Sequence, residues 1–247
     1  FVQATLQQHG IATDRIRVVP GVQTSGTLIV NVQGQDRRFI HAVGANAHLR
    51  AEDIAPQWVA SARVFYVGGY LLMPGLDPWA LRDLFRQARA AGTKTVLDVV
   101  LPGPGDHWPA LQPVLSETDV FLPNDDEAAA LTGSRDPWQQ AQRFVDAGAG
   151  VAVITCGQRG TYLVSRDVRL RAAVYDVPFV GGTGAGDAFD AGFIAGLLEG
   201  EDLAGCLRWG SALGASCVRG VGATETVFNR DEALEFMRTQ PLTIEAH

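Results

Sequence analysis

The run Gly181-Gly182-Thr183-Gly184-Ala185-Gly186-Asp187 brings together a flexible loop, a row of backbone amides and a carboxylate. Four of the six residues from Gly181 to Gly186 are glycine, so the backbone can take φ > 0 and pass close to a ligand with no Cβ in the way. Phe189, Phe193, Ile194, Leu197 and Leu198 follow at helical spacing and Gly200 ends the run, which predicts a helix that starts just after the loop. Unpaired N–H groups and the positive end of the dipole at such a start favour a bound anion. Asp187 falls in the first turn. A carboxylate beside an anion site fits phosphoryl transfer, in which a protein supplies positioning, charge stabilisation and a base for the attacking hydroxyl. The same residues also have a structural reading, because the dipole favours Asp in first turns and Gly-rich loops turn chains.

Two further constellations carry the same pair of readings. Asn124 and Glu127, in Pro123-Asn124-Asp125-Asp126-Glu127, follow an apolar run at the end of a predicted strand, the edge where open α/β sheets gather ligands. Spaced i, i+3 they share a helical face and could hold magnesium directly or through its waters; read structurally, they are an Asn helix cap with its Glu partner. Thr155-Cys156-Gly157-Gln158-Arg159-Gly160 offers a hydroxyl and free amides at another strand end, suited to a ribose or phosphate, and equally suits a tight turn. Arg159 could reach a phosphate, although an Arg in a turn is more often solvated.

These segments need a scaffold, and the chain alternates in a way that supplies one. Residues 64–67, 95–100, 120–122 and 151–155 are short β-rich apolar runs separated by helix-like segments, which predicts buried parallel strands in βα units and an α/β fold. Asp77-Pro78-Trp79 and Asp136-Pro137-Trp138 each read as a helix start, with Gly92 and Gly148 as stops. Residues 27–32 and 38–43, joined around Gly34-Gln35-Asp36, predict an antiparallel hairpin, and 161–165 with 168–175 a second. With 247 residues and 47% hydrophobic content, one large domain is favoured over two small ones.

Composition and missing motifs exclude several classes. A net charge of -7 argues against a nucleic-acid or polyanion binder. Cys156, Cys206 and Cys217 are odd in number and lack metal-type spacing, which points to a reducing compartment and a cytoplasmic protein. No apolar run reaches membrane-spanning length and no signal peptide is visible. There is no GxxxxGK[ST], and the single lysine, Lys94, precedes a strand; the Gly run places Asp187 where GxGxxG needs its third glycine. Without HExxH or GxSxG, and with scattered histidines, zinc and serine hydrolase chemistry lack support.

Gly184-Ala185-Gly186-Asp187-Ala188-Phe189 resembles the C-terminal signature of the ribokinase-like carbohydrate kinases, also called the phosphofructokinase-B family. Asn124-Asp125-Asp126-Glu127 is similar to that family's NxxE motif, the segment from Thr155 to Gly160 to its TxGxxG nucleotide loop, and Gly222-Ala223 to a late Gly-Ala loop; the order and spacing agree over roughly residues 24–225. The resemblance implies a three-layer αβα fold with a mostly parallel sheet and a small partial β lid at 24–43. It also implies an ATP- and magnesium-dependent kinase acting on a small sugar or nucleoside. Asp187 would then be the general base, with the Gly184, Ala185 and Gly186 amides as the anion hole. Asn124 and Glu127 would act around magnesium and the triphosphate. Thr155, Gly157, Gln158, Gly160, Gly186, Ser211 and Gly222 would line the nucleotide, with Ser211 on the adenine side.

Two departures qualify the implication. Gly181-Gly182 stands where many members carry Asp-Thr, so the carboxylate that helps hold a monovalent cation is absent and potassium activation is not expected. The resemblance also begins inside the family pattern, near Thr24, past the opening strand and its sugar-binding Asp and Gly-Gly motif; the chain, which starts at Phe1, reads as a fragment, with the first nine residues as the tail of a helix. Gly68-Gly69 and Gly44-Ala45-Asn46 resemble positions near the sugar or lid. A homodimer through the lid is compatible with this reading. A non-catalytic nucleotide or sugar sensor on the same fold remains the alternative.

Overall fold

The computed structural model describes residues 1–30 and 38–247. Its contacts divide into two compact units: Phe1–Leu49 with Met73–Gly75, and Arg50–Leu72 with Leu76–His247. The first unit holds helix α1 (Val2–Gln8) and the antiparallel strands β1 (Gly26–Val30) and β2 (Arg38–Ala42), paired with Leu28 opposite Ile40. This is the first expected hairpin; its turn around Gly34-Gln35-Asp36 lies outside the described residues. Across the pair Thr27 Oγ1 and His41 Nδ1 share a hydrogen bond of 2.8 Å.

The second unit runs α2 (Pro56–Ala60), β3 (Val64–Val67), α3 (Pro78–Ala90), β4 (Lys94–Leu97), α4 (Trp108–Leu115), β5 (Val120–Phe121), α5 (Asp125–Thr132), α6 (Pro137–Asp146), β6 (Val151–Thr155), β7 (Thr161–Ser165), β8 (Arg169–Ala172), α7 (Ala185–Glu199), α8 (Leu203–Cys217), α9 (Arg230–Thr239) and β9 (Ile244–Ala246). The strands form one seven-stranded sheet in chain order. Pairing is parallel from β3 to β6 and antiparallel from β6 to β9, so five strands run one way and β7 and β9 the other. The α/β alternation read from the sequence is therefore realised as helices on both faces of a mostly parallel sheet.

Alternation of side chains explains why both faces need cover. Val96, Val120, Val153 and Leu163 project to one face, where Phe189 and Phe193 of α7 and Cys206 and Leu207 of α8 pack on them. Their neighbours project to the other: Phe121 meets Phe144 of α6 edge-on at 4.8 Å between ring centroids, and Phe65 meets Phe85 of α3 at 5.4 Å. Helices α7 and α8 approach closely because glycines of α7 face the backbone of α8: a Cβ on Gly196 would lie 2.8 Å from Cys206 Cα, and one on Gly192 would lie 2.8 Å from Gly210 Cα.

Local signals fix the element ends. Asp77 Oδ1 accepts the N–H groups of Trp79 and Ala80 at 3.0 and 2.9 Å, and Asp136 caps α6 in the same way, each a side-chain oxygen serving orphan donors ahead of a Pro at the first helical position. Gly92 and Gly148 follow the helices with φ of 84° and 116°. Three boundaries differ from the sequence pattern. Strand β4 is shorter than 95–100 because its partner β3 gives way to Gly68 and Gly69, the latter at φ 66°, and leaves no edge to pair with. Strand β5 ends before Pro123, which has no N–H to donate. Strand β8 stops at Ala172, and the unforeseen β9 pairs along it; three residues are too few to show a period.

Candidate active site

The C-terminal ends of β3, β4, β5 and β6 lie along one edge of the parallel sheet; the Asn124 and Thr155 segments leave from that edge, the Gly181–Asp187 run leads into α7, and the Gly222-Ala223 loop follows α8. Asn124 and Thr155 form an isolated parallel bridge just beyond β5 and β6, so these two predicted residues are adjacent. Thr155 N–H donates to Pro123 O at 3.2 Å. Its hydroxyl makes no hydrogen bond among the described residues and remains available.

Asn124 and Glu127 realise the structural reading of their pair in full. Asn124 Oδ1 accepts Glu127 N–H at 2.8 Å and Glu127 Oε2 accepts Asn124 N–H at 3.0 Å, a reciprocal capping box at the start of α5. The cap also serves the site, because it fixes a half-buried carboxylate at the sheet edge. Burial pushes the Glu127 carboxyl up to about 8, helped by the charge of Asp98 and opposed by the hydrogen bond from Asn124 N–H.

The Thr155–Gly160 turn is built on two left-handed glycines, Gly157 and Gly160, at φ 54° and 84°. Cys156 N–H donates to Gly160 O, and Arg159 and Gly160 N–H bond back into the turn. The Gly157 and Gln158 N–H groups find no backbone acceptor among the described residues. Arg159 is not poised for a ligand here; its guanidinium pairs with Asp125 of α5. Gln158 is exposed.

Helix α7 starts where the sequence places it. Gly184 is the N-cap in the left-handed region at φ 78°, and Gly200 ends the helix at φ 81°. Ala185 N–H already bonds Gly182 O at 3.3 Å, whereas the Gly184 and Gly186 N–H groups have no backbone acceptor among the described residues. Of the three amides expected to form an anion hole, two are thus free and Ala185 is engaged by its own turn. Asp187 sits in the first turn with an exposed edge, and burial of the remainder raises its pKa against the opposing pull of its own backbone N–H.

Three residues at this edge escaped the sequence reading. Asp98, just past β4, accepts Gly69 N–H at 3.0 Å; burial and then the charge of Asp187 push its carboxyl up, with the Gly69 N–H opposing. Asp190, one turn beyond Asp187, is 4% exposed and accepts the Tyr66 hydroxyl at 2.9 Å. Burial, then the charges of Asp98, Asp187 and Glu127, drive Asp190 well above the usual carboxylate range, and burial, then the charges of Asp190, Asp98 and Asp187, raise Tyr66. The legible signals were a lone Asp in the apolar run from Thr95 to Val100 and a second acid three residues after Asp187, on the helix face that carries Phe189 and Phe193.

A buried acid held protonated lowers stability as pH rises. Above about pH 4 the unfolded chain releases a proton that folded Asp190 retains, so this contribution falls steadily until the folded pKa is passed. Asp190→Asn keeps an oxygen for Tyr66 and removes the titration. The variant is expected to melt higher than the parent at about pH 8, with a smaller gain at about pH 5.5; equal melting curves at both would show that Asp190 is ionised in the fold.

The late Gly-Ala loop packs against the start of α7. A Cβ on Gly184 would lie 2.6 Å from Ala223 O, so the Gly222-Ala223 loop rests directly on the N-cap of α7. Gly222 N–H is taken by Glu225 Oε2 at 3.4 Å. Ser211 is half-buried on α8, next to the Gly210 that packs on Phe189. All three cysteines are buried thiols, and no helix among the described residues is long and apolar enough to cross a membrane.

The profile of the pfkB family carbohydrate kinases matches residues 1–229. A ribokinase of Haemophilus influenzae is 32% identical over 237 residues, covering 93% of this chain and 74% of the relative. An ATP-dependent 6-phosphofructokinase of Thermoanaerobacterium thermosaccharolyticum is 33% identical over 228 residues, covering 90% and 70%. Among solved structures, Arabidopsis thaliana ribokinase complexed with ribose and ATP superposes with a TM-score of 0.77 at 21% identity, over 93% of this chain and 74% of that one; at that identity the likeness concerns the fold.

Proposed function

Because the chain belongs to the pfkB family of carbohydrate kinases, phosphotransferases with an alcohol acceptor, we propose that it transfers the γ-phosphate of ATP to a hydroxyl of a sugar or nucleoside, with Asp187 as general base. One observation carries the reading: Asp187 stands in the first turn of α7 beside the unengaged Gly184 and Gly186 N–H groups, in the electrostatic field it shares with Asp98. Its raised pKa brings it nearer the operating pH, where a general base is most effective. In the reaction its carboxylate takes the proton of the acceptor hydroxyl as that oxygen attacks phosphorus, and the two glycine amides with the α7 dipole face the charge on the transferring group.

Glu127 and Asp98, with Asn124, offer hard oxygen donors near one another, and burial raises both carboxyls, a cost that a bound cation would offset. That donor set suits magnesium, which supplies charge neutralisation between phosphates when bound. Among the described residues no three acidic, His or Cys side chains form a metal cage, which suits an ion that keeps several waters. Thr155 Oγ1 and the Gly157 and Gln158 amides form the adjoining edge for ribose or phosphate, with Gly160 shaping the turn.

The relatives divide the acceptor between ribose-type sugars, a sugar phosphate and, in an adenosine kinase of Saccharomyces cerevisiae, a nucleoside. The test is acceptor-dependent ADP release with ribose, fructose, 2-keto-3-deoxygluconate, fructose 6-phosphate and adenosine, each with Mg·ATP. At least one acceptor is expected to accelerate ADP release. ATP binding without turnover on any acceptor would favour a sensor on the same fold.

A further inference from the structure

Helix α8 ends at Cys217 with the negative end of its dipole and several carbonyls that no helical donor can reach. Two residues on, Arg219 folds back over that end. Its Nε–H donates to Ser216 O and its Nη2–H to Thr226 O, each at 3.2 Å, while its guanidinium lies 4.4 Å from the centre of the Phe228 ring. One planar cation therefore ties the helix end to the far side of the loop 220–226. Neighbouring bonds close the same base: Thr226 Oγ1 lies 2.7 Å from Ser216 O and 3.1 Å from Cys217 O, and Phe228 N–H donates to Ser216 Oγ at 3.1 Å.

The other end of this loop presses on the catalytic one. Ala223 leaves no room for a Cβ on Gly184, and Cys217 Sγ lies 3.3 Å from both Thr183 O and Ala223 O. Val180 and Gly181 N–H both donate to Val218 O, at 2.8 and 3.1 Å. The Val218 carbonyl, next to Arg219, thus holds the approach to the Gly181–Gly186 run, and the loop that Arg219 closes sets where Gly184 can stand.

We infer that Arg219 is a positioning residue for phosphate binding: it touches no ligand, and by pinning the loop 220–226 it fixes the Gly184 and Gly186 amides in the geometry that receives the phosphates. The inference rests on the kinase reading above. A guanidinium is suited to the task because its rigid fork serves two carbonyls while its face stacks on an aromatic ring, which an ammonium cannot do at once. An Arg that only capped α8 would stabilise the fold and leave nucleotide affinity alone.

Calorimetric titration with Mg·AMP-PNP, which needs no acceptor, separates these roles when paired with thermal melting. Arg219→Ala is expected to weaken binding by about ten-fold or more, and Arg219→Lys to recover melting temperature more than affinity. Thr226→Val, which removes a different bond from the same loop base, should weaken binding in the same direction, with the double variant losing less than the two single losses combined. Should Arg219→Ala fail to fold, Arg219→Lys and Thr226→Val carry the test. Affinity equal to the parent in these variants, whatever their melting temperatures, overturns the inference alone; a parent protein that does not bind Mg·AMP-PNP overturns the kinase reading together with it.

Discussion

Asp187→Asn is expected to lower turnover by at least about two orders of magnitude, with nucleotide affinity changed little. The substitution keeps the shape of the side chain and removes its basicity. The fold should tolerate it, since Asp187 has an exposed edge in the first turn of α7 and the lost dipole interaction is worth about 0.3–1 kcal/mol. The glycine amides stay, so Mg·ATP still finds its donors while the acceptor hydroxyl must attack with its proton in place. Steady-state kinetics on the best acceptor, with a binding titration of Mg·AMP-PNP, would read both quantities. Near-full turnover would remove Asp187 from the chemistry and leave the carboxylate as a first-turn ornament of the dipole.

Gly184→Ala should be nearly as damaging, for a reason in the backbone. At φ 78° an L-residue pays roughly 1–2 kcal/mol, and the new Cβ would meet Ala223 at 2.6 Å from O and 2.8 Å from Cβ, so either the N-cap or the Gly222-Ala223 loop must move. A displacement of about 1 Å at reacting groups is enough to reduce turnover about a hundred-fold. Gly186 provides the contrast: its Cβ would meet nothing within 4 Å and its φ lies outside the left-handed region. Gly186→Ala is therefore expected to melt like the parent and to lose affinity for Mg·AMP-PNP, because the space its methyl enters is the space assigned to phosphate. Gly184→Ala should lower the melting temperature with no ligand present. Were Gly186→Ala to bind the nucleotide as well as the parent, the phosphates would have to lie elsewhere.

Much of the site's outline was legible because it depends on residues close in sequence. The Gly181–Asp187 loop, the helix after it and its Gly200 stop are set by local backbone freedom and apolar spacing, and they stand where the pattern put them. Asp77 and Asp136 cap their helices as their Pro-Trp neighbours foretold. The Asn124–Glu127 pair reads locally as a cap and, by the resemblance, as a magnesium site; the structure shows the cap, while the position that the cap gives Glu127 near the charge of Asp98 depends on two strands and was hidden. Ala185 illustrates a finer limit: its amide counted as a donor for phosphate, but the turn that presents its neighbours consumes it.

The sequence alone determined the α/β class, the family resemblance and the carboxylate at a helix start, since each follows from periodicity, glycine content and short motifs that act within a few residues. Only the tertiary structure decided that Asp98, Glu127, Asp187 and Asp190 share one electrostatic neighbourhood, that Tyr66 on β3 satisfies the most buried of them, and that Arg219 closes the loop on which Gly184 rests. Those relations join residues up to 124 positions apart, as between Tyr66 and Asp190. They arise from strand order in the sheet and from the packing of α7 and α8 upon it, which no local pattern encodes.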